Sequence, residues 1–307
     1  MSRRVNFLGC PLDLLTSTKL LEEIRENIDS RTASHIGALS ASTGERGWGE
    51  VSNSCSQPST INSQPLWPPS RVIQFVNANK VAQVSEDAEM ERIMWRADYV
   101  LADGQPMLPM ARLLGLRIPE RIDGIGLMAK LLALANARGY SVFLLGAKQN
   151  VVEACIEKIR DEYPNVRIAG FRNGYFTSAQ APDVVESVRT ARPDILFLGM
   201  GSPMKERFAD QYADQLGASV IQGVGGSFDV MAGLVNRAPV WIQRLGLEWL
   251  YRVIQEPRRM FWRYTKTNAQ CLWAFLRVLA TPASRRSLRR RDESYADVAG
   301  VEGSTEL

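Results

Sequence analysis

From Arg71 to Gly226 the chain alternates between two kinds of segment, and this alternation constrains the fold more than any other feature. The runs "RVIQFVNA", "DYVLADG", "YSVFLLG", "VRIAGF", "PDILFLGMG" and "ASVIQGVGG" are short and apolar, and most are rich in β-branched residues. Between them stand "SEDAEMERIMWRA", "MLPMARLLGL", "IGLMAKLLALANARG", "VVEACIEKIRDEYP", "DVVESVRTAR" and "PMKERFADQYADQLG", which read as helices. Repeated strand–helix alternation predicts an α/β fold with a Rossmann-like parallel sheet and helices on both faces. Upstream, "RVNFLGCPLDLLT" reads as a strand and turn, and "STKLLEEIRENIDS" as a helix with Leu20, Leu21, Ile24 and Ile28 on one face.

Two composition shifts divide the chain. Residues 31–70 are rich in Ser, Gly, Asn and Pro and are expected to be a flexible insertion, because they offer too little apolar surface to order themselves. Alternation resumes afterwards, so one domain is expected over residues 1–240, followed by a basic aromatic helical appendage over 241–291 and a disordered tail over 292–307. The net charge of +4 hides a split: the stretch from Tyr251 to Arg291 carries +10, leaving −6 on the rest. A basic block interleaved with Tyr251, Phe261, Trp262, Tyr264, Trp273 and Phe275 fits an anionic bilayer interface. It equally fits helices packed on the body or on another copy of the chain. No nucleic-acid motif accompanies it, so no nucleic-acid partner is expected. No run reaches the roughly 20 apolar residues that span a bilayer. Cys10, Cys55, Cys155 and Cys271 are scattered without metal spacing, and the N-terminus does not read as a signal peptide, which favours the cytoplasm.

The only histidine, His35, falls in the expected insertion, so histidine-based triads and zinc motifs are disfavoured. In "YVLADGQPML", Asp103 ends an apolar strand and Gly104 breaks the chain direction. This is either ordinary Asp-Gly turn chemistry or a base at the carboxyl end of a parallel strand, where open α/β sheets hold ligands. Glycine turns recur after later strands, at Gly146, at Gly199 and Gly201, and at Gly225 and Gly226 before Asp229. Such turns let backbone N–H groups approach a phosphate. The dinucleotide fingerprint is incomplete, because Met204 stands where a third glycine belongs, and P-loop and D-x-D motifs are missing.

The ordered segments "VNANK", "ADGQP", "PERIDGIGL", "FLLGAKQNV", "GYF", "GMGSPMKE", "GVGGSFDVMAG", "NRAPVW" and "GLEWLYRVIQEPRR" together resemble the WecG/TagA/CpsF family of bacterial glycosyltransferases, over about Val5 to Arg263 apart from the insertion. The resemblance implies an inverting transferase without metal or other cofactor. Its substrates would be a UDP-sugar donor and a polyprenyl-diphosphate-linked acceptor, met peripherally at the inner face of the plasma membrane. It assigns the general base to Asp103 and charge balance at the leaving group to Arg121. With the glycine turns it gives a substrate-binding set of Asn77, Gly104, Gly146, Gly199, Gly201, Lys205, Glu206, Gly225, Gly226, Asp229, Arg237, Arg252 and Arg258. The chain departs from many relatives in carrying Lys205 for Gln and Gly126 for Asp, and from some in carrying Phe75 for Thr, departures that bear on the donor sugar more than on the fold. They lean the expectation toward a hexose donor in exopolysaccharide synthesis, with UDP-glucose, UDP-N-acetylmannosamine and its uronic acid all open. Competing readings are a nucleotide-dependent oxidoreductase and a silent binding module of a polysaccharide assembly.

Overall fold

The computed structural model describes residues 3–43, 70–104, 107–239, 241–242, 248–255 and 257–280. A hairpin of β1 (Arg3–Phe7) and antiparallel β2 (Cys10–Leu14) leads into helix α1 (Ser17–Thr43). Then come β3 (Arg71–Val76), α2 (Ala78–Glu86), α3 (Ala88–Arg96), β4 (Tyr99–Ala102), α4 (Met107–Leu113), α5 (Gly124–Arg138) and β5 (Ser141–Gly146). The second half continues with α6 (Gln149–Glu162), β6 (Arg167–Arg172), α7 (Ala181–Ala191), β7 (Ile195–Gly199), α8 (Met204–Tyr212), β8 (Val220–Gly223) and α9 (Ser227–Met231). Two C-terminal helices follow, α10 (Glu248–Gln255) and α11 (Pro257–Ala280).

The six strands from β3 to β8 form one parallel sheet in the order β4-β3-β8-β7-β5-β6. Inner strands β5, β7 and β8 are buried at every position, as expected when both faces of a parallel sheet are covered. Alternate residues divide between two cores. Val72, Val76, Leu196, Leu198 and Ile221 pack with α2, α3, α7 and α8 on one face. Ile73, Leu101, Leu144, Phe197 and Val220 pack with α1, α5, α6 and α9 on the other. The right-handedness of strand–helix–strand connections produces this division, because leftward and rightward crossovers must use opposite faces.

Three local features differ from the sequence reading. Helix α1 runs on to Thr43, so the expected insertion does not begin at Arg31. Arg31 is buried, and its guanidinium donates to the carbonyls of Ala218 and Gly217 at the foot of β8. His35 therefore lies on a helix, while residues 44–69 fall outside the described residues. The single helix expected before β4 is two, and part of it lies earlier. The Asp87 carboxylate accepts from the N–H groups of Glu89 and Met90, starting α3 where α2 ends. Finally, the hairpin covers edge strand β4. Asp13, paired with Arg4 at 2.8 Å, accepts from Val100 N at 2.7 Å, which satisfies an edge donor that would otherwise be open.

The expected appendage has one packed face. Thr267, Cys271 and Phe275, four residues apart, are buried, and α11 lies along α2. Its other side exposes Phe261, Trp262, Leu272, Trp273 and Leu276. The tail from residue 281 lies outside the described residues.

Candidate active site

The tips of β4, β3, β8, β7 and β5 stand side by side, so the segments that follow them share one crevice. After β3 the chain turns to α2 on one face, and after neighbouring β8 it turns to α9 on the other. Adjacent strands with diverging exits open a cleft at a topological switch point, where ligands of open α/β sheets bind.

Asp103 stands at this opening. Its N–H donates to Val76 O at 3.0 Å, extending the β3–β4 pairing by one residue and fixing where the side chain emerges. Burial pushes its carboxyl up from the ordinary 3.8 to about 6, and the negative charge of Asp123 adds to this. Arg121 and the amide of Asn77 oppose the rise, and Glu248 adds slightly to it. A carboxylate raised in this way is a better proton acceptor near neutral pH than an exposed aspartate. Gly104 is confined: a Cβ there would lie 3.3 Å from Met107 and 3.4 Å from Asn77.

The loop before α5 is tied to the same strand tip. Ile122 N donates to Ala102 O at 3.0 Å, and Gln222 Nε2 of β8 donates to Gly124 O at 2.7 Å. These bonds set Arg121 and Asp123 beside Asp103. Asp123 caps α5, accepting from Gly126 N at 3.0 Å. Arg121 reaches Asp123 at 3.3 Å and Glu248 at 2.8 Å with the same nitrogen. Arg237 also pairs with Asp123 and lies 3.8 Å from Glu248. Two guanidiniums and two carboxylates from three separate segments thus form one network. Phe75 is buried beneath Gly124 and supports this loop.

A second ionic cluster lies at the tips of β3 and β8. Lys80 and Lys205 both reach Glu206 Oε1, Lys80 at 2.7 Å, and Glu206 is fully buried. Burial works against the Glu206 charge, but Lys205 and Lys80 outweigh it and hold the carboxyl at about 2. Burial, with Lys205 nearby, lowers Lys80 to about 8 against the pull of Glu206. The cluster carries a net positive charge, and Lys205 lies against Gly223 with its Nζ 3.2 Å from where a Cβ would be.

The structure sorts the residues expected to bind substrate. Glu206 is buried and bonded within the protein, so its role is to hold the two lysines. Asn77 caps α2 through its Oδ1 and turns its amide toward Asp103 at 3.5 Å, which makes it a support for that carboxylate. Gly146 and Gly199 are explained by packing: a Cβ at Gly146 would lie 2.3 Å from the Gly199 backbone, and one at Gly199 would lie 2.3 Å from Phe228. Gly201, Gly225 and Gly226 have open surroundings, and Gly225 has φ +55°. Asp229 is half-buried in the first turn of α9. Arg258 is exposed at the start of α11, and the side chain of Arg252 on α10 lies outside the described residues. Lys80 and Glu248 were missed by sequence reasoning. Glu248 was visible only as part of "GLEWLYR", and Lys80 only as the end of "VNANK". Among the described residues no three His, Cys, Asp or Glu side chains gather where they would hold a metal.

A raised carboxyl thus stands beside paired cations at the open end of a Rossmann-like sheet. The chain belongs to the WecG/TagA/CpsF family of glycosyl transferases, whose sequence model matches residues 61–285. It is a glycosyltransferase. The match begins after the hairpin and α1 and extends past the end of α11. Among its relatives is the N-acetylglucosaminyldiphosphoundecaprenol N-acetyl-beta-D-mannosaminyltransferase of Bacillus subtilis (strain 168), 36% identical over 195 residues, or 64% of this chain and 74% of the relative. The protein of the same name from Bacillus spizizenii is 33% identical over 59% of this chain and 69% of its own length. That of Staphylococcus aureus (strain MW2) is 36% identical over 54% of this chain and 64% of its own length.

Proposed function

We propose that the protein transfers a sugar from a UDP-sugar to a saccharide carried on a polyprenyl diphosphate, with inversion and without a metal. The observation that carries this reading is Asp103 at the strand tip, its carboxyl raised to about 6 beside the Arg121 guanidinium. The acceptor hydroxyl oxygen attacks the anomeric carbon as Asp103 takes its proton. The bond from that carbon to the β-phosphate oxygen breaks, and UDP leaves with the electron pair. One base suffices for inversion, because a single in-line displacement occurs. Arg121, Arg237 and Lys205 offset the charge that grows on the diphosphate, a form of preorganised stabilisation commonly worth about 3–4 kcal/mol per donor removed. Gly201, Gly225 and Gly226 leave room for the nucleotide at the next strand tips.

The relatives' names support N-acetylmannosamine as donor sugar and a GlcNAc-diphosphoundecaprenol acceptor. A hexose donor in exopolysaccharide synthesis is the second reading, favoured by Lys205 and Gly126 where the resemblance gives many relatives Gln and Asp. A donor screen on a lipid-diphosphate-GlcNAc acceptor, read by UDP release and product stereochemistry, tests both. Turnover with no UDP-sugar, or retention at the anomeric carbon, refutes the proposal.

The place of action follows from the acceptor. No helix among the described residues is long and apolar enough to cross a membrane, so the reading is peripheral attachment at the inner face. Support comes from the exposed Phe261, Trp262, Leu272, Trp273 and Leu276 of α11. Aromatic side chains on a basic amphipathic helix enter the headgroup boundary. Replacing Trp262 and Trp273 by Ser is expected to reduce flotation with anionic liposomes while sparing turnover on a soluble acceptor analogue.

A further inference from the structure

We propose that Glu248 is a positioning residue that holds Arg121 and Arg237 beside Asp103 and gives them up to the diphosphate of the donor. The inference rests on the reading of Arg121 as a partner of that diphosphate. It begins with a charge count. Arg121 and Arg237 are matched by Asp123 and Glu248, so the network is neutral as it stands. With Asp103 ionised, this side of the opening is net negative, and the surplus charge of Lys80 and Lys205 over Glu206 only balances it. A diphosphate would therefore meet no net attraction at the strand tips unless a carboxylate withdraws.

Asp123 is not free to withdraw. Its Oδ1 accepts from Gly126 N at 3.0 Å and caps α5, and its loop is bonded to both β4 and β8. A Cβ at position 126 would stand 2.1 Å from that same oxygen, so the glycine keeps room for the cap. Glu248 differs on each count. Its side chain is 28% exposed against 17% for Asp123. It sits in the first turn of α10, a helix that packs mainly on α11. Helix α11 is anchored independently on α2 through Thr267, Cys271 and Phe275. Glu248 can thus move away without opening either core. Its departure leaves Arg121, Arg237 and Asp123 with a net charge of +1 and removes the shorter of the two bonds on the Arg121 nitrogen, 2.8 Å against 3.3 Å to Asp123. Phosphate oxygens then take the planar donors in the bidentate manner that guanidinium favours. In the empty enzyme the exchange has a use: the guanidiniums stay extended toward the reacting centre and do not have to be ordered on binding.

The opposite possibility, that Glu248 is a fixed brace under a permanently placed Arg121, makes the opposite prediction for affinity. The test is titration calorimetry with UDP on the full chain and on Glu248→Gln, Glu248→Asp and Arg121→Ala, with donor KM and the pH profile of kcat/KM for the active forms. Exchange requires Glu248→Gln to bind UDP about fivefold more tightly, about 1 kcal/mol, with a parallel fall in donor KM. Asp103 is faced by Asp123 and Arg121 from the loop before α5, by Asn77 from the tip of β3 and by Glu248 from α10. Removing the Glu248 charge lowers its carboxyl, so the acid limb of the profile moves to lower pH. If Glu248→Gln melts far below the parent, Glu248→Asp replaces it as the probe. It keeps the charge but shortens the reach, and tighter UDP binding again supports the exchange. Unchanged or weaker UDP binding in the folded Glu248 variant, with binding lost in Arg121→Ala, overturns the exchange and leaves the assignment of Arg121 standing. Undiminished UDP binding in Arg121→Ala overturns both.

Discussion

Replacing Asp103 by Asn is expected to damage turnover and strengthen the fold at the same time, and the two effects have separate magnitudes. The native carboxyl stands at about 6, against 3.8 for an aspartate free of its surroundings. At 1.36 kcal/mol per pH unit this difference amounts to about 3 kcal/mol. The side chain is only half-buried, so solvent screening reduces the figure to about 1–3 kcal/mol. The sign follows from linkage: a raised carboxyl means that ionisation opposes folding at every pH above the shifted value. Asn removes that opposition. Its advantage is therefore full above about pH 6, shrinks as pH falls toward 3.8, and vanishes below. In a chain of this size each kcal/mol moves the midpoint by about 2–4 °C, so Asp103→Asn should melt about 2–12 °C higher at pH 8. Turnover should fall about 10²- to 10⁴-fold, the usual contribution of a general base. Differential scanning fluorimetry at pH 8, 6 and 4.5, run beside a UDP-release assay, reads both. A variant less stable than the parent at pH 8, or a gain independent of pH, would show that the carboxyl is not raised as argued. Near-parental turnover would remove Asp103 from the chemistry.

Glu206→Gln should lower unfolding stability by about 3–5 kcal/mol in urea, because it leaves Lys80 charged and buried without its counter-ion. A double replacement of Lys80 and Glu206 by Met should recover much of that loss, and failure to do so would mean the pair holds more than itself. Because Glu206 is held at about 2, the stabilisation it supplies is present above its ordinary 4.5 and is lost as pH falls from there through about 2. Gly199→Ala should fold poorly, since its Cβ meets Phe228 at 2.3 Å, whereas Gly201→Ala should melt like the parent. Equal melting of the two would remove the packing account. Treatment with EDTA should leave turnover unchanged, and activity lost and then restored by Mg²⁺ or Mn²⁺ would reveal a metal site.

The fold was legible wherever a segment carried its own period. Strands β5 and β7 announced themselves as nearly continuous apolar runs because both their faces are buried. Helix α2 did not, since "ANKVAQVSE" is short and places buried Lys80 on what would otherwise be its apolar side. The extension of α1 was hidden by Ser, Gly and Thr, residues that favour turns locally but stand here in a helix. At the site, Asp103 was visible because one strand and one turn define it. The ion network was not: its members lie at 121, 123, 237 and 248, and only the folded sheet brings them together. Gly146 and Gly199 have packing reasons that the sequence hid, because sequence alone does not separate a glycine that admits a phosphate from one that admits a phenyl ring.

The strand order also governs when the enzyme comes into being during synthesis. Arg71 of β3 pairs with Val220 of β8, so the middle of the sheet is its strand pairing most distant in sequence. A ribosome that has delivered β3 to β7 has made two separate half-sheets, β4-β3 and β7-β5-β6, each with an unpaired inner edge. Joining them requires closure of a very long loop, a slow step that leaves those edges open to other chains meanwhile. The crevice lies along that seam. Hence a prematurely terminated chain that lacks β8 has Asp103 but no cleft to hold a donor, and it presents sticky strand edges instead. The cleft and protection from aggregation arrive together, with the same strand.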